Sequence, residues 1–90
     1  MTLKYRPHPE LRLTALEGEG VVLHLGSRRY FSVNETGLAI LEGLKPSATM
    51  AQLVEILTAK FDVTPVQAER SVRAFLDRCL AAKLVEEVAG

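Results

Sequence analysis

The sequence has one cysteine, no tryptophan and no surplus of either charge among its 90 residues. A lone Cys79 cannot form an intramolecular disulfide, so a disulfide scaffold is excluded and a reducing, cytoplasmic setting fits. Uninterrupted apolar runs extend over only a few residues, far short of the ~20 that cross a bilayer. The opening Met-Thr-Leu-Lys-Tyr-Arg has no apolar h-region and no small-residue cleavage site, so no secretory signal is expected. The chain is too short for a Rossmann sheet or a TIM barrel. What it does have is 48% apolar residues, enough for one thin core in one domain.

Residues 1–9 hold Pro7 and Pro9 and no period, and read as an extended lead-in in which the prolines make ladder pairing unlikely. A single domain is expected over residues 10–88. From Glu10 the pattern alternates. Leu11, Leu13 and Ala15 share one face, with Arg12 and Thr14 on the other, the pattern of a half-buried strand. Gly18 and Gly20 punctuate a turn, and Val21 to Leu25 is a second strand. Gly26-Ser27-Arg28 is a short loop, and Arg29-Tyr30-Phe31-Ser32-Val33 returns as a third. Connections this short imply an antiparallel meander.

At Asn34 the period changes from two to 3.6. Asn34 is a good N-cap, and Glu35 suits the positive end of the helix dipole. Leu38, Ile40, Leu41 and Leu44 form the buried stripe of a first helix that ends by Gly43 and Pro46. Thr49 and Gln52 spell a capping box for a second helix, with Leu53, Ile56, Leu57 and Phe61 on one side. After a turn at Asp62-Val63, Thr64-Pro65-Val66-Gln67 repeats the device with proline at the first helical position. The third helix buries Val72, Phe75, Leu76, Cys79 and Leu80, and Leu84, Val85 and Val88 form an extended return. The expected fold is α+β: a three-stranded antiparallel sheet followed by three helices, winged helix-turn-helix-like.

No catalytic or metal constellation emerges. The two histidines, His8 and His24, have no cysteine near them in sequence, so zinc and haem spacings are missing. Cys79 falls on a core stripe, where a thiol acts as a small hydrophobe. The glycines at 18, 20 and 26 lack the Lys-Ser/Thr ending and the following helix of a phosphate loop. No catalytic residue, cofactor or metal is expected.

Two binding features remain. The helix-turn-helix raises a DNA-binding alternative, with Arg70, Arg73 and Arg78 on the third helix. Charge weighs against it, because residues 34–90 carry six basic and eight acidic groups, whereas DNA readers present a basic face. The other feature is the third strand, which has one open edge in a three-strand meander. Tyr30 and Phe31 lie on it, and the third helix has a low-relief flank through Gln67, Ser71, Ala74, Arg78 and Ala81 or Ala82. An extended peptide entering between them would become a fourth strand. Equally, the alanines could merely favour the helix and Arg29 guard the edge against aggregation. An open edge meeting a folded partner, as in a subunit or inhibitor domain, is a further alternative.

Arg-Tyr-Phe-Ser-Val-Asn-Glu-Thr-Gly (29–37) followed by Ile40-Leu41-Glu42-Gly43-Leu44 resembles the PqqD-like family. So do Phe61-Asp62-Val63, Ser71 to Leu76 and Lys83-Leu84-Val85. The resemblance extends over about residues 10–86. It implies a non-catalytic recognition element for precursor peptides of ribosomally made, modified natural products. It also implies a leader segment lying along Arg29, Tyr30, Phe31, Ser32 and Val33, and against the helix flank of Ser71, Ala74, Phe75 and Arg78. The implied partners are a precursor leader and a maturation enzyme, with no nucleic acid and no membrane. The Gly-Ser-Arg-Arg-Tyr hairpin and short second strand resemble the subgroup that presents lasso-peptide precursors to a leader peptidase. PqqD itself, which serves a radical-SAM enzyme, is the alternative within the family. The chain departs from the family pattern at Val33, where many members have Leu. It has Ile40-Leu41 where many have Trp, and Ser71 where many have Asp, which removes an acidic contact to the leader there.

Overall fold

The computed structural model describes residues 3–89. The elements follow in the order β1 (Leu3–Pro7), β2 (Leu11–Leu16), β3 (Glu19–His24), β4 (Arg29–Val33), α1 (Glu35–Gly43), β5 (Ala48–Thr49), α2 (Met50–Lys60), α3 (Pro65–Ala81) and β6 (Val85–Ala89). The meander read from the sequence is β2-β3-β4, fully antiparallel, with β4 at one edge. Glu17 and Gly18 form a two-residue hairpin turn with φ of 40° and 83°, the positive-φ pair that matches strand twist. Gly20, expected with Gly18 in the turn, is a strand residue opposite Ala15 and Val33. Ala15, expected on the buried face, is exposed, because coverage by the helices fades toward the hairpin tip.

A second sheet, β5-β1-β6, was not expected from the sequence. The expectation that Pro7 and Pro9 prevent ladder pairing fails for a positional reason. Pro7 is the last residue of β1, opposite Val85, and Pro9 lies beyond the strand. A proline at the end of a strand need not supply a ladder donor. Tyr5 packs against the core, and Arg6 donates from Nε to Glu86 Oε2 directly across the ladder at 2.9 Å.

Each helix starts where its cap dictates. Asn34 Oδ1 accepts from the Gly37 N–H at 2.9 Å. Thr49 with Gln52 and Thr64 with Gln67 both form complete capping boxes, so two backbone donors at each entry find side-chain acceptors. The core lies between β2-β3-β4 and the three helices, with Val22, Ile40, Leu41, Leu44, Leu53, Leu57, Val72 and Leu76 fully buried. No buried polar side chain is left without a partner among the described residues. Among the described residues no helix is long and apolar enough to cross a membrane.

Candidate peptide-binding groove

Main-chain groups on successive strand residues face opposite sides. The Leu25 N–H donates to Glu10 O at 2.9 Å and the Arg28 N–H to His24 O at 2.8 Å. The backbone of Leu25 therefore faces β2, and by alternation those of His24, Val22 and Gly20 face β4. Their opposites are Arg29, Phe31 and Val33, whose N–H and C=O groups are used inside the sheet. Those of Tyr30 and Ser32 turn outward, along an edge that no described strand covers.

Side chains alternate across the sheet at right angles to this. Phe31 and Val33 point inward and pack against the core. Tyr30 points to the opposite face, beside Arg12, Thr14, Val21 and Leu23, and is 74% exposed. The two aromatics thus serve different faces.

The wall facing β4 is α3. Its C-terminus closes with Lys83 at φ 60°, the Lys83 N–H donating to Leu80 O at 3.1 Å and the Leu84 N–H to Cys79 O at 2.9 Å. This is the Schellman arrangement, which brings the two residues flanking the crossing together. Cys79 and Leu84 accordingly lie side by side and buried at the base of the groove. At the other end, Phe75 packs against Gly37, where an added Cβ would stand 2.8 Å from Phe75 Cε1 and 3.2 Å from Val33 Cβ. The missing side chain of Gly37 is what lets α3 approach the junction of β4 and α1. Beyond the helix, Leu84 accepts from the His8 N–H at 2.9 Å, and the His8 ring lies 4.7 Å from that of His24, which pairs with Arg29. Hence α3 runs antiparallel to β4, with Phe75 near Val33, Leu84 near the Arg29 end and Arg78 between them.

A cleft of about 510 Å³ opens between these walls, lined by Phe31, Ser32, Val33, Asn34, Phe75, Arg78, Cys79, Ala82 and Leu84. Of the residues expected in a site, Phe31, Ser32, Val33, Phe75 and Arg78 meet here. Arg29 stands outside, its guanidinium 5.4 Å from the Phe31 ring centre, a cation–π contact. Ser71 lines a separate hollow with Thr36, Phe61 and Val63, and Ala74 is exposed one turn before Arg78. Ala82, one of the two alanines expected at the end of the flank, also lines the cleft, whereas Asn34, Cys79 and Leu84 were missed. Cys79 and Leu84 had a signal, since an apolar pair at that spacing across a helix end marks a Schellman closure.

Burial pushes the Cys79 thiol up to about 11, opposed by the nearby positive charge of Arg78. The thiol is therefore neutral, an apolar floor and not a nucleophile. His8 and His24 come together but with no third ligand, and among the described residues no group of three His, Cys, Asp or Glu could hold a metal. On the outer face of α3, Arg73 lies 3.8 Å from Glu69, which weakens the DNA-binding alternative further.

The family model described as coenzyme PQQ synthesis protein D (PqqD) matches residues 19–85. The chain belongs to the PqqD family. Among solved structures, it is similar to TbiB1 in complex with the TbiA(beta) leader peptide, at 25% identity and a TM-score of 0.83, covering 94% of this chain and 99% of that one. A lasso peptide synthetase B1 complexed with the leader peptide shares the fold at 23% identity and a TM-score of 0.73, covering 91% of this chain and 96% of that one. No curated protein sequence matches. This PqqD-family chain is thus a non-catalytic module of the fold found in two proteins solved with leader peptides.

Proposed function

We propose that this chain captures the leader segment of a ribosomally made precursor by strand addition to β4 and presents it to a processing enzyme, a leader peptidase in a lasso-peptide pathway. The observation that carries this reading is the coincidence of an uncovered strand edge with a largely apolar cleft beside its Phe31–Val33 end. Tyr30 and Ser32 offer main-chain donors and acceptors, which supply affinity without regard to sequence. Phe31, Val33, Phe75 and Arg78 meet the peptide's inward side chains and supply specificity, while Arg29, Ser71 and Ala74 flank the path. The likeness to TbiB1, whose structure contains a leader peptide, supports the same occupant.

The test is an amide-shift titration of the labelled chain with the leader of a precursor encoded beside it, and separately with duplex DNA. Shifts confined to residues 29–33 and 67–84 with peptide alone are expected. A paired substitution sharpens it. Ser32→Pro deletes an outward donor and should abolish binding in a folded protein, whereas Phe31→Pro deletes a donor to β3 and should disrupt the sheet itself. Full affinity in folded Ser32→Pro, or shifts with DNA that fade as salt rises, would reject strand addition.

A further inference from the structure

The cleft has a charge asymmetry that strand addition alone does not require. No carboxylate lines it, and its one ionised side chain is Arg78. Among the described residues the ion pairs are Arg6–Glu86 and Arg73–Glu69, with His8 Nε2 4.0 Å from Glu86, so Arg78 has no carboxylate within 4.0 Å. Arg29, at the rim, is engaged with the Phe31 ring and, among the described residues, has no carboxylate within 4.0 Å. In a chain whose total charge is zero, this wall is locally cationic. The remaining lining is apolar: Phe31, Val33, Phe75, Cys79, Ala82 and Leu84.

A strand added to β4 sends every second side chain toward α3, and such neighbours lie ~6.6–6.8 Å apart along the strand. Phe75 and Arg78 are three residues apart on α3, a rise of ~4.5 Å, and the long arginine stem covers the difference. Two consecutive inward side chains of a bound strand therefore meet the Phe75 end and the Arg78 position together. On the reading that β4 takes a peptide strand, we propose that the cleft selects peptides with an Asp or Glu two residues from a bulky apolar side chain. The carboxylate pairs with Arg78 and the apolar group fills the Phe31–Val33–Phe75 end. Arg78 is then the specificity-determining residue, because enclosure by the peptide reduces the screening that makes exposed ion pairs weak. Arg78 lines the cleft beside Cys79 while remaining exposed, so its charge is open to an incoming carboxylate.

The experiment is selection of a displayed random dodecapeptide library on the whole chain, on Arg78→Glu and on Ser32→Pro. The tightest peptide is then synthesised with Glu and with Gln at the acidic position and measured against wild type and Arg78→Gln. Wild type should enrich Asp or Glu two residues from Leu, Ile, Phe or Trp, and Arg78→Glu should enrich Lys or Arg there instead. The Glu peptide should outbind its Gln form by about 5-fold with Arg78, and by less than about 2-fold with Arg78→Gln. Binders that need Ser32 but show no acidic preference and no response at Arg78 would overturn this selectivity while leaving strand addition standing. Absence of any Ser32-dependent binder would overturn both.

Discussion

Replacing Gly37 by alanine sets two effects of opposite sign against each other at one atom. Gly37 is in the first turn of α1, and its N–H bonds to the Asn34 side chain. Helix propensity alone predicts that alanine stabilises by ~0.5–1 kcal/mol. Packing predicts the reverse. The new Cβ would stand 2.8 Å from Phe75 Cε1, 3.2 Å from Phe75 Cζ and 3.2 Å from Val33 Cβ, so either the ring or the helix must move. Overpacking of this kind costs roughly 1–3 kcal/mol, which outweighs propensity and leaves a net loss of about 1 kcal/mol. For a domain this small that is a fall in Tm of about 4–8 °C. Phe75→Leu removes the ring atoms responsible, so in that background Gly37→Ala should be neutral or slightly stabilising, a coupling of about 1–2 kcal/mol. Urea denaturation of the four proteins measures it. A Tm increase for Gly37→Ala in wild type, or the same cost in both backgrounds, would refute the assignment of Gly37 as the contact that seats α3 against β4.

Other expectations concern the caps, the helix closure and the thiol. Thr49→Ala and Thr64→Ala each break a capping box and should lower stability by ~1 kcal/mol apiece; thermal melts that show no change in either would remove the caps from the account. Lys83→Gly should raise stability by ~0.5–1 kcal/mol, since Lys83 holds φ at 60°, a conformation that costs less for glycine. A lower melting temperature would mean that the lysine side chain contributes more than the strain removes. Native Cys79, raised from 9.0 to about 11, should react with iodoacetamide at pH 8 about 100-fold more slowly than in denaturant, because its thiolate fraction falls tenfold per pKa unit. The folded pKa lies above the unfolded one, so this contribution to stability is complete below pH 9 and lost as pH rises toward 11. Equal alkylation rates, or stability rising across that interval in a Cys79→Ala-corrected comparison, would contradict the buried neutral thiol.

Local chemistry determined much of this protein by itself. Asn34, Thr49 and Thr64 announce their helices because a side-chain acceptor three residues before a free N–H needs no tertiary partner. The period-two run of Arg29 to Val33 likewise separates Phe31 and Val33 from Tyr30 and Ser32, since alternation is a property of the strand alone. The open edge of β4 followed from the order of short connections.

The tertiary structure decided the rest. β1 becomes a strand because β5 and β6, both distant in the chain, offer it partners and Glu86 meets Arg6; the prolines nearby dominate any local reading. Which flank of α3 faces β4 depends on Gly37 admitting Phe75, and on the Schellman closure turning Leu84 back beneath Cys79. That rotation brings Phe75, Arg78 and Ala82 to the cleft and leaves Ser71 in a different hollow. Helical spacing names the residues on a stripe, but the stripe that meets a strand is fixed by close packing between segments distant in the chain, where one absent Cβ sets the angle of approach.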